Sequence, residues 1–405
     1  MGAAYVQRKG DPFYIKTLTR KGGFVKDDKF SPPCENTGRN IEFAVLSALA
    51  MLFTVMGHTG VTWATLDWLF PYDAYHMPLF VFISGYFFNT SAVCIHGTKN
   101  FLVKQIRHLI IPFFVWNLLY GLVAMAFSST FGILWCYADE FWYRFLVRPF
   151  TVGNVFFGFN APSWFLLVLF EVKVLNWFFR LLLQRVNNRE WVLLITYLVF
   201  AGCAVCCAQN LHRTDFLIKA TRAFYMLLWL QVGTIYRVLL EKRDTLSSGI
   251  YFGIVLTIQS VIWLFCKDRG LFAGIYNSDF TNGPITTILA AFTGIAFSLR
   301  IAKILARSIG KSKLVSYVSE HTFSIMMHQF LGFTLLNLLF WWSDSILGIG
   351  MFDVSAFQTD VFYRYFPPSL SNLRFFYVVA GFFVPLVGCR MWEYIRHAKR
   401  VKIKR

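Results

Sequence analysis

The sequence predicts an all-α, polytopic integral membrane protein of about ten transmembrane helices, with both termini in the cytoplasm. Three observations predict that class. Charge is sparse, at 15% of residues against 57% hydrophobic, where a globular chain is roughly 25% charged. Apolar runs recur at lengths that cross ~30 Å of hydrocarbon at 1.5 Å per residue. Basic residues gather on one side of those runs. The runs lie near 42–61, 75–96, 108–130, 163–184, 191–209, 220–238, 248–266, 285–305, 315–342 and 374–395.

The formal charge of +18 raises nucleic acid as a partner. The charges sit between the apolar runs, however, which points to membrane orientation and lipid contact and away from nucleic acid. With the N-terminus inside, 29 of the 39 Lys and Arg face the cytoplasm, 9 face outward, and Lys173 lies within a span. Residues 1–40, with "RKGDPFYIKTLTRKGGFVKDDKF", lack the apolar core of a signal peptide and read as a basic cytoplasmic tail on anionic lipid. Residues 41–396 form the membrane domain, and 397–405 a second basic tail. Trp63, Trp68, Trp164, Trp191, Trp341, Trp342 and Trp392 fall at predicted span ends, as an interfacial belt does. The long external loops, about 131–162 and 343–373, are too short for a soluble domain and are expected to lie over the membrane face.

Eight cysteines are present. The cluster "CAVCC" (Cys203, Cys206, Cys207) has no His or Asp nearby, so helix packing by small residues is the expectation and no metal is.

Ionisable groups in a bilayer are costly, so each asks for a role. His58, ending "ALAMLFTVMGHTG", lies about 16 residues, roughly 24 Å, beyond the inner end of the first span. It is either an interfacial histidine or a general base at the mouth of a polar cavity. His76 opens the second span at the same level, as a cap or as a catalytic group. His328 in "FSIMMHQF" lies near the midplane, where it faces the protein interior as a hydrogen-bonding or chemical group. Glu171 and Lys173 stand two apart, point to different faces, and each need a partner on another helix. Lys104 and Arg107 share a face at the inner end of the third span, as a topology anchor or a clamp for a phosphorylated ligand. In "HMPLFVFISGYFF", Gly85 removes a side chain so that a helix or acyl chain approaches the backbone closely. Ser84 and Tyr86 beside it offer hydroxyls to a cavity.

These segments, "HMPLFVFISGYFF", "VKQIRHLIIPFFVWN", "SWFLLVLF" and "FSIMMHQF", occur in the order seen in the acyltransferase-3 family. The opening helix "RNIEFAVLSALAMLFTVMGHTG" is also similar to that family's first span and its terminal histidine. The resemblance covers nearly the whole chain past residue 39 and implies a ten-span membrane acyltransferase that modifies glycans or other acceptors, often by O-acetylation. It marks His58 as the catalytic histidine. It marks Arg107 as the second residue of an Arg-x-x-Arg pair whose first place is Lys104, and Ser84, Gly85 and Tyr86 as the Ser-Gly-Tyr element. The family's usual basic residue eleven positions before the first-span histidine is here Ser47, and Lys104 loses an arginine's bidentate geometry.

The expected function is thus a multi-pass cell-membrane O-acyltransferase, in the plasma or inner membrane. It moves acetyl from cytoplasmic acetyl-CoA (an acyl-CoA donor substrate, with no permanently bound cofactor) to a hydroxyl of a cell-surface or lipid-linked glycan. His58 is the base, Lys104 and Arg107 hold donor phosphates, and His76, Ser84, Gly85, Tyr86 and His328 line the cavity. A ten-span transporter or flippase of a glycan or lipid-linked intermediate is the alternative. The absence of repeat symmetry and paired broken helices counts against it.

Overall fold

A computed structural model of the chain describes residues 40–61, 66–91, 93–94, 97–154, 156–365 and 367–403. The basic tail expected over 1–40 lies outside these residues except for Asn40, as do Cys34 and Trp63. The chain is an all-α polytopic membrane protein. Among the described residues, eight helices are long and apolar enough to cross a membrane. Each of the ten expected segments contains a helix, and two fall short of that standard. One is 15 residues long, and the other carries Glu171, Lys173 and Arg180.

Helix α1 (Ile41–Thr59) starts where the Asn40 side chain accepts the Phe43 N–H at 3.1 Å. It ends at Gly60, whose φ of 64° is the left-handed cap that glycine adopts without cost. Helix α2 (Tyr72–Tyr86) runs back with Pro78 buried inside it. Helices α3 (Thr98–Gln105) and α4 (Ile111–Phe131) form one rod, joined by a π-turn over Ile106–Ile110 just before Pro112. Proline supplies no N–H, so the local ladder is re-registered there.

There follow α5 (Trp164–Leu182), α6 (Arg189–Asn210), α7 (Asp215–Ile235) and α8 (Ser248–Cys266). A two-residue hairpin, β1 (Ala273–Gly274) with β2 (Asp279–Phe280), pairs Ala273 with Phe280. Then come α9 (Pro284–Ile309), α10 (Lys313–Glu320), α11 (Thr322–Leu347), α12 (Val354–Thr359) and α13 (Arg374–Ile403).

At one end of the bundle, Asn40 Nδ2 donates to the Tyr86 hydroxyl, which donates to Glu241 Oε1, both at 2.7 Å. Phe43 stacks on Tyr86 with ring centroids 3.6 Å apart. Gly310, after α9, packs on Ile41, and the Tyr317 hydroxyl donates to Leu386 O. His321 Nε2 lies 3.6 Å from Glu393. The start of α1 and the second half of α13 therefore lie at this same end.

At the opposite end, the His58 end, the two long loops fold together into a roof. Leu134 N–H donates to Gln358 O at 2.9 Å, and the Trp135 indole donates to Phe357 O at 2.6 Å. A separate aromatic core of Trp135, Phe157, Phe159, Phe352, Phe357 and Tyr363 fills the roof. The 267–283 loop joins it, since Asn154 Nδ2 donates to Tyr276 O at 2.9 Å and Arg222 Nη1 donates to the same carbonyl at 3.2 Å. Trp68, Trp191, Trp342 and Trp392 are exposed, as interfacial residues are, whereas Trp164 is buried beneath the Arg222 guanidinium.

Candidate active site

A cavity of about 450 Å³ lies between α1, α2, α5 and α11 under the roof. Its α1 wall is Ser47, Met51, Thr54 and His58. Those positions are four, three and four apart, so they form one helical stripe, and the wall runs roughly 16 Å from first to last. The α2 wall is Asp73, His76, Met77, Phe80 and Ile83, again one stripe. Thr322, Met326 and Phe330 close the α11 side, while Tyr137, Phe157, Tyr276, Arg364 and Tyr365 hang from the roof.

Spans carry this geometry because their apolar faces pack against neighbours and leave one polar-bearing stripe each. Ser47 donates to Phe43 O at 2.8 Å and Thr54 to Ala50 O at 2.9 Å, so both hydroxyls are satisfied within α1. His58 is half-buried, with its ring centroid 5.1 Å from Phe330 and 6.0 Å from Tyr365. His76 Nδ1 lies 2.6 Å from Tyr72 O. A carbonyl only accepts, so Nδ1 carries a hydrogen and the neutral ring keeps Nε2 as its basic nitrogen.

Of the residues singled out in the sequence, the structure brings His58 and His76 together on this cavity. Ser84, Gly85, Tyr86 and His328, expected on its lining, lie elsewhere. The α2 stripe ends at Ile83, and the next three residues turn away. Ser84 is buried, and Gly85 presses on the backbone of α7, where a Cβ would stand 2.0 Å from Leu230 O. Tyr86 belongs to the latch with Asn40 and Glu241. On α11 the cavity takes Met326 and Phe330, one turn apart, so His328 between them points to the far face. There its Nδ1 meets the Tyr120 hydroxyl at 2.6 Å and its ring lies 4.3 Å from Trp116.

Lys104 and Arg107 are exposed at the Asn40 end and do not line the cavity. Their segment packs on α5, with Phe101 stacked on Trp177 at 4.1 Å and the Trp177 indole donating to Thr98 Oγ1 at 3.1 Å. Lys173 of α5 sits within electrostatic reach of Lys104. Glu171, by contrast, pairs with Lys219 of α7 at 3.0 Å.

Arg364, Tyr365, Asp73 and Tyr276 are site residues that the sequence reading missed. Three of them sit in loops, which have no period to reveal an inward face. Asp73 was legible, being three residues before His76 on the α2 stripe. Burial pushes the Arg364 guanidinium below its ordinary value and raises the Tyr365 phenol. Among the described residues no three His, Cys, Asp or Glu gather as a metal site.

The chain matches a family described as an acyltransferase domain, acyltransferase-3, over residues 40–389. It belongs to that family. No curated protein and no solved structure matches it. The acyltransferase-3 domain thus takes in every helix that walls the cavity and the whole roof, and the chain is a membrane acyltransferase.

Proposed function

We propose that this acyltransferase-3 protein moves an acetyl group from cytoplasmic acetyl-CoA to a hydroxyl of a cell-surface or lipid-linked glycan, in the plasma or inner membrane. The observation that carries this reading is the α1 stripe, which sets His58 and Ser47 on one wall of a single cavity. A slot that long, lined by Met51, Phe80, Ile83 and Met326, suits an extended acyl-pantetheine arm. The aromatic roof over the His58 end suits the faces of a sugar ring.

His58 takes the proton from the acceptor hydroxyl as its oxygen attacks the thioester carbonyl. The new C–O bond forms, the C–S bond breaks, and the departing thiolate takes the proton from the imidazolium. His76 stands beside it on α2 with Nε2 able to accept a hydrogen bond from the acceptor. The donor's phosphates remain at the Asn40 end on Lys104 and Arg107, whose charges have no carboxylate partner among the described residues. Family membership favours this chemistry over transport of a glycan.

The test is mass spectrometry of surface and lipid-linked glycans from cells with and without the chain, alongside release of coenzyme A by purified protein. A mass increase of one acetyl group per modified sugar is the expected result. Glycans identical in the two cells, with no coenzyme A release, would overturn the proposal.

A further inference from the structure

Five arginines are buried among the described residues: Arg144, Arg180, Arg222, Arg300 and Arg364. Four have a carboxylate. Arg144 pairs with Glu140 at 2.6 Å, Arg180 with Glu190 at 2.8 Å, and Arg300 with Asp244, while Arg222 lies within electrostatic reach of Glu171. Arg364 differs. It is 6% exposed, and the titratable groups around it are the hydroxyls of Tyr365, Tyr276 and Tyr137 and the His58 imidazole, none of them a carboxylate. Its Nη1 donates to Gly158 O, the guanidinium also donates to the Tyr365 hydroxyl, its Nε has no partner (as in Arg144, Arg222 and Arg300), and aromatic rings of Phe330, Tyr365 and Trp135 flank it at 4.5, 5.2 and 5.6 Å.

A buried guanidinium without an anion is expensive, and rings, a carbonyl and one phenol hydroxyl, all of them neutral, offset only part of that cost. Holding two loops together needs no charge. The same residue lines the catalytic cavity and lies within electrostatic reach of His58. The one carboxylate on the cavity wall among the described residues, Asp73, is exposed.

We infer that the acceptor is anionic: the sugar that offers its hydroxyl to His58 carries a carboxylate or phosphate beside that hydroxyl, and Arg364 is its counter-ion. This rests on the proposed acyl transfer to a glycan and narrows its acceptor. The two anions are one chemistry for a guanidinium, which accepts either in bidentate fashion. A carboxylate belongs to an acidic sugar, and a phosphate to a sugar phosphate or the first sugar of a lipid carrier.

The experiment locates the added acyl group by fragmentation mass spectrometry, in acidic glycans and phosphate-linked sugars as separate fractions. Cells carry wild type, Arg364→Lys or Arg364→Gln at matched membrane levels. The expected product is acylated on an acid-bearing residue or its immediate neighbour. Arg364→Gln lowers it at least tenfold, and Arg364→Lys falls between. Acylation confined to neutral sugars with no acid group on the same or adjacent residue overturns the inference, and so does an Arg364→Gln variant that acylates acidic sugars like wild type. Should the Gln variant fail to accumulate, the wild-type product map decides alone. Absence of any acylated product would instead strike the parent proposal of acyl transfer.

Discussion

Gly85 and Gly233 sit on the two sides of one backbone-to-backbone contact where α2 crosses α7, Gly85 against Leu230 and Gly233 against Phe82 and Tyr86. A Cβ on Gly85 would lie 2.0 Å from Leu230 O, and one on Gly233 would lie 2.0 Å from Phe82 O. Thr234 fastens the crossing by donating to Gly85 O at 3.1 Å. Small residues at such a point let two spans approach until backbone atoms touch, which is how helices gain packing energy in lipid. The Ser-Gly-Tyr step thus serves the frame that holds the cavity, directly after the last α2 residue that lines it.

Gly85→Leu is accordingly expected to prevent folding rather than to plug a path. Even Gly85→Ala forces the helices apart, and overpacking of this kind costs about 1–3 kcal/mol. The check is the yield of monodisperse protein in detergent, with its melting temperature. A Gly85→Leu protein that purifies and melts like wild type would contradict the crossing.

His58→Ala is expected to lower acyl transfer by about 10²–10⁴, the usual loss for a general base, with membrane level and melting temperature close to wild type. A half-buried histidine beside Phe330 and Tyr365 leaves only a small void when truncated. Turnover by purified protein, measured with melting on the same preparation, checks both parts. A variant that keeps more than a third of wild-type turnover would pass the role to His76, on the facing stripe.

How far the site could be read from the sequence follows from periodicity. The spans were legible because each is a long apolar run, and His58 was legible as a costly group near a span end. Ser47 and His58 stand eleven apart, close to three turns, so their shared face was legible too. The placement of His328 and Gly85 depended on which helix lies beside which, and a single span's pattern does not contain that. Nearly all-apolar faces give no contrast between lipid and protein. Arg364 was hidden for another reason, because its burial comes from three loops closing over one another, a tertiary event with no local signature.

The basic pair makes a prediction about the donor. Replacing Lys104 and Arg107 together by alanine is expected to weaken coenzyme A binding, since charge-assisted contacts contribute about 1.5–3 kcal/mol each, or roughly 10- to 150-fold. Lys173, close by on α5, retains part of the attraction, so the triple replacement is expected to go further. Titration calorimetry with coenzyme A and with dephospho-coenzyme A, at two salt concentrations, reads the effect. Unchanged affinity in the double variant would leave the pair as an anchor of topology, with the donor entering at another place.

The path of the donor arm is tested at Thr54. This residue lies on the α1 stripe between Ser47 and His58, and its hydroxyl is already satisfied by Ala50 O at 2.9 Å, so its side chain contributes shape more than chemistry. Thr54→Phe projects a ring into the slot one turn before His58, far from the exposed basic pair. If the pantetheine arm runs along this wall, the thioester no longer reaches His58, and turnover falls at least tenfold while coenzyme A still binds through its phosphates. The cavity has room for the ring, so melting is expected to stay within a few degrees of wild type. Thr54→Val, which fills almost the same space as threonine, is the control and is expected to turn over normally. Thr54→Phe with full turnover would mean that the arm approaches His58 from another side, and the slot along α1 would lose its assignment as the donor channel.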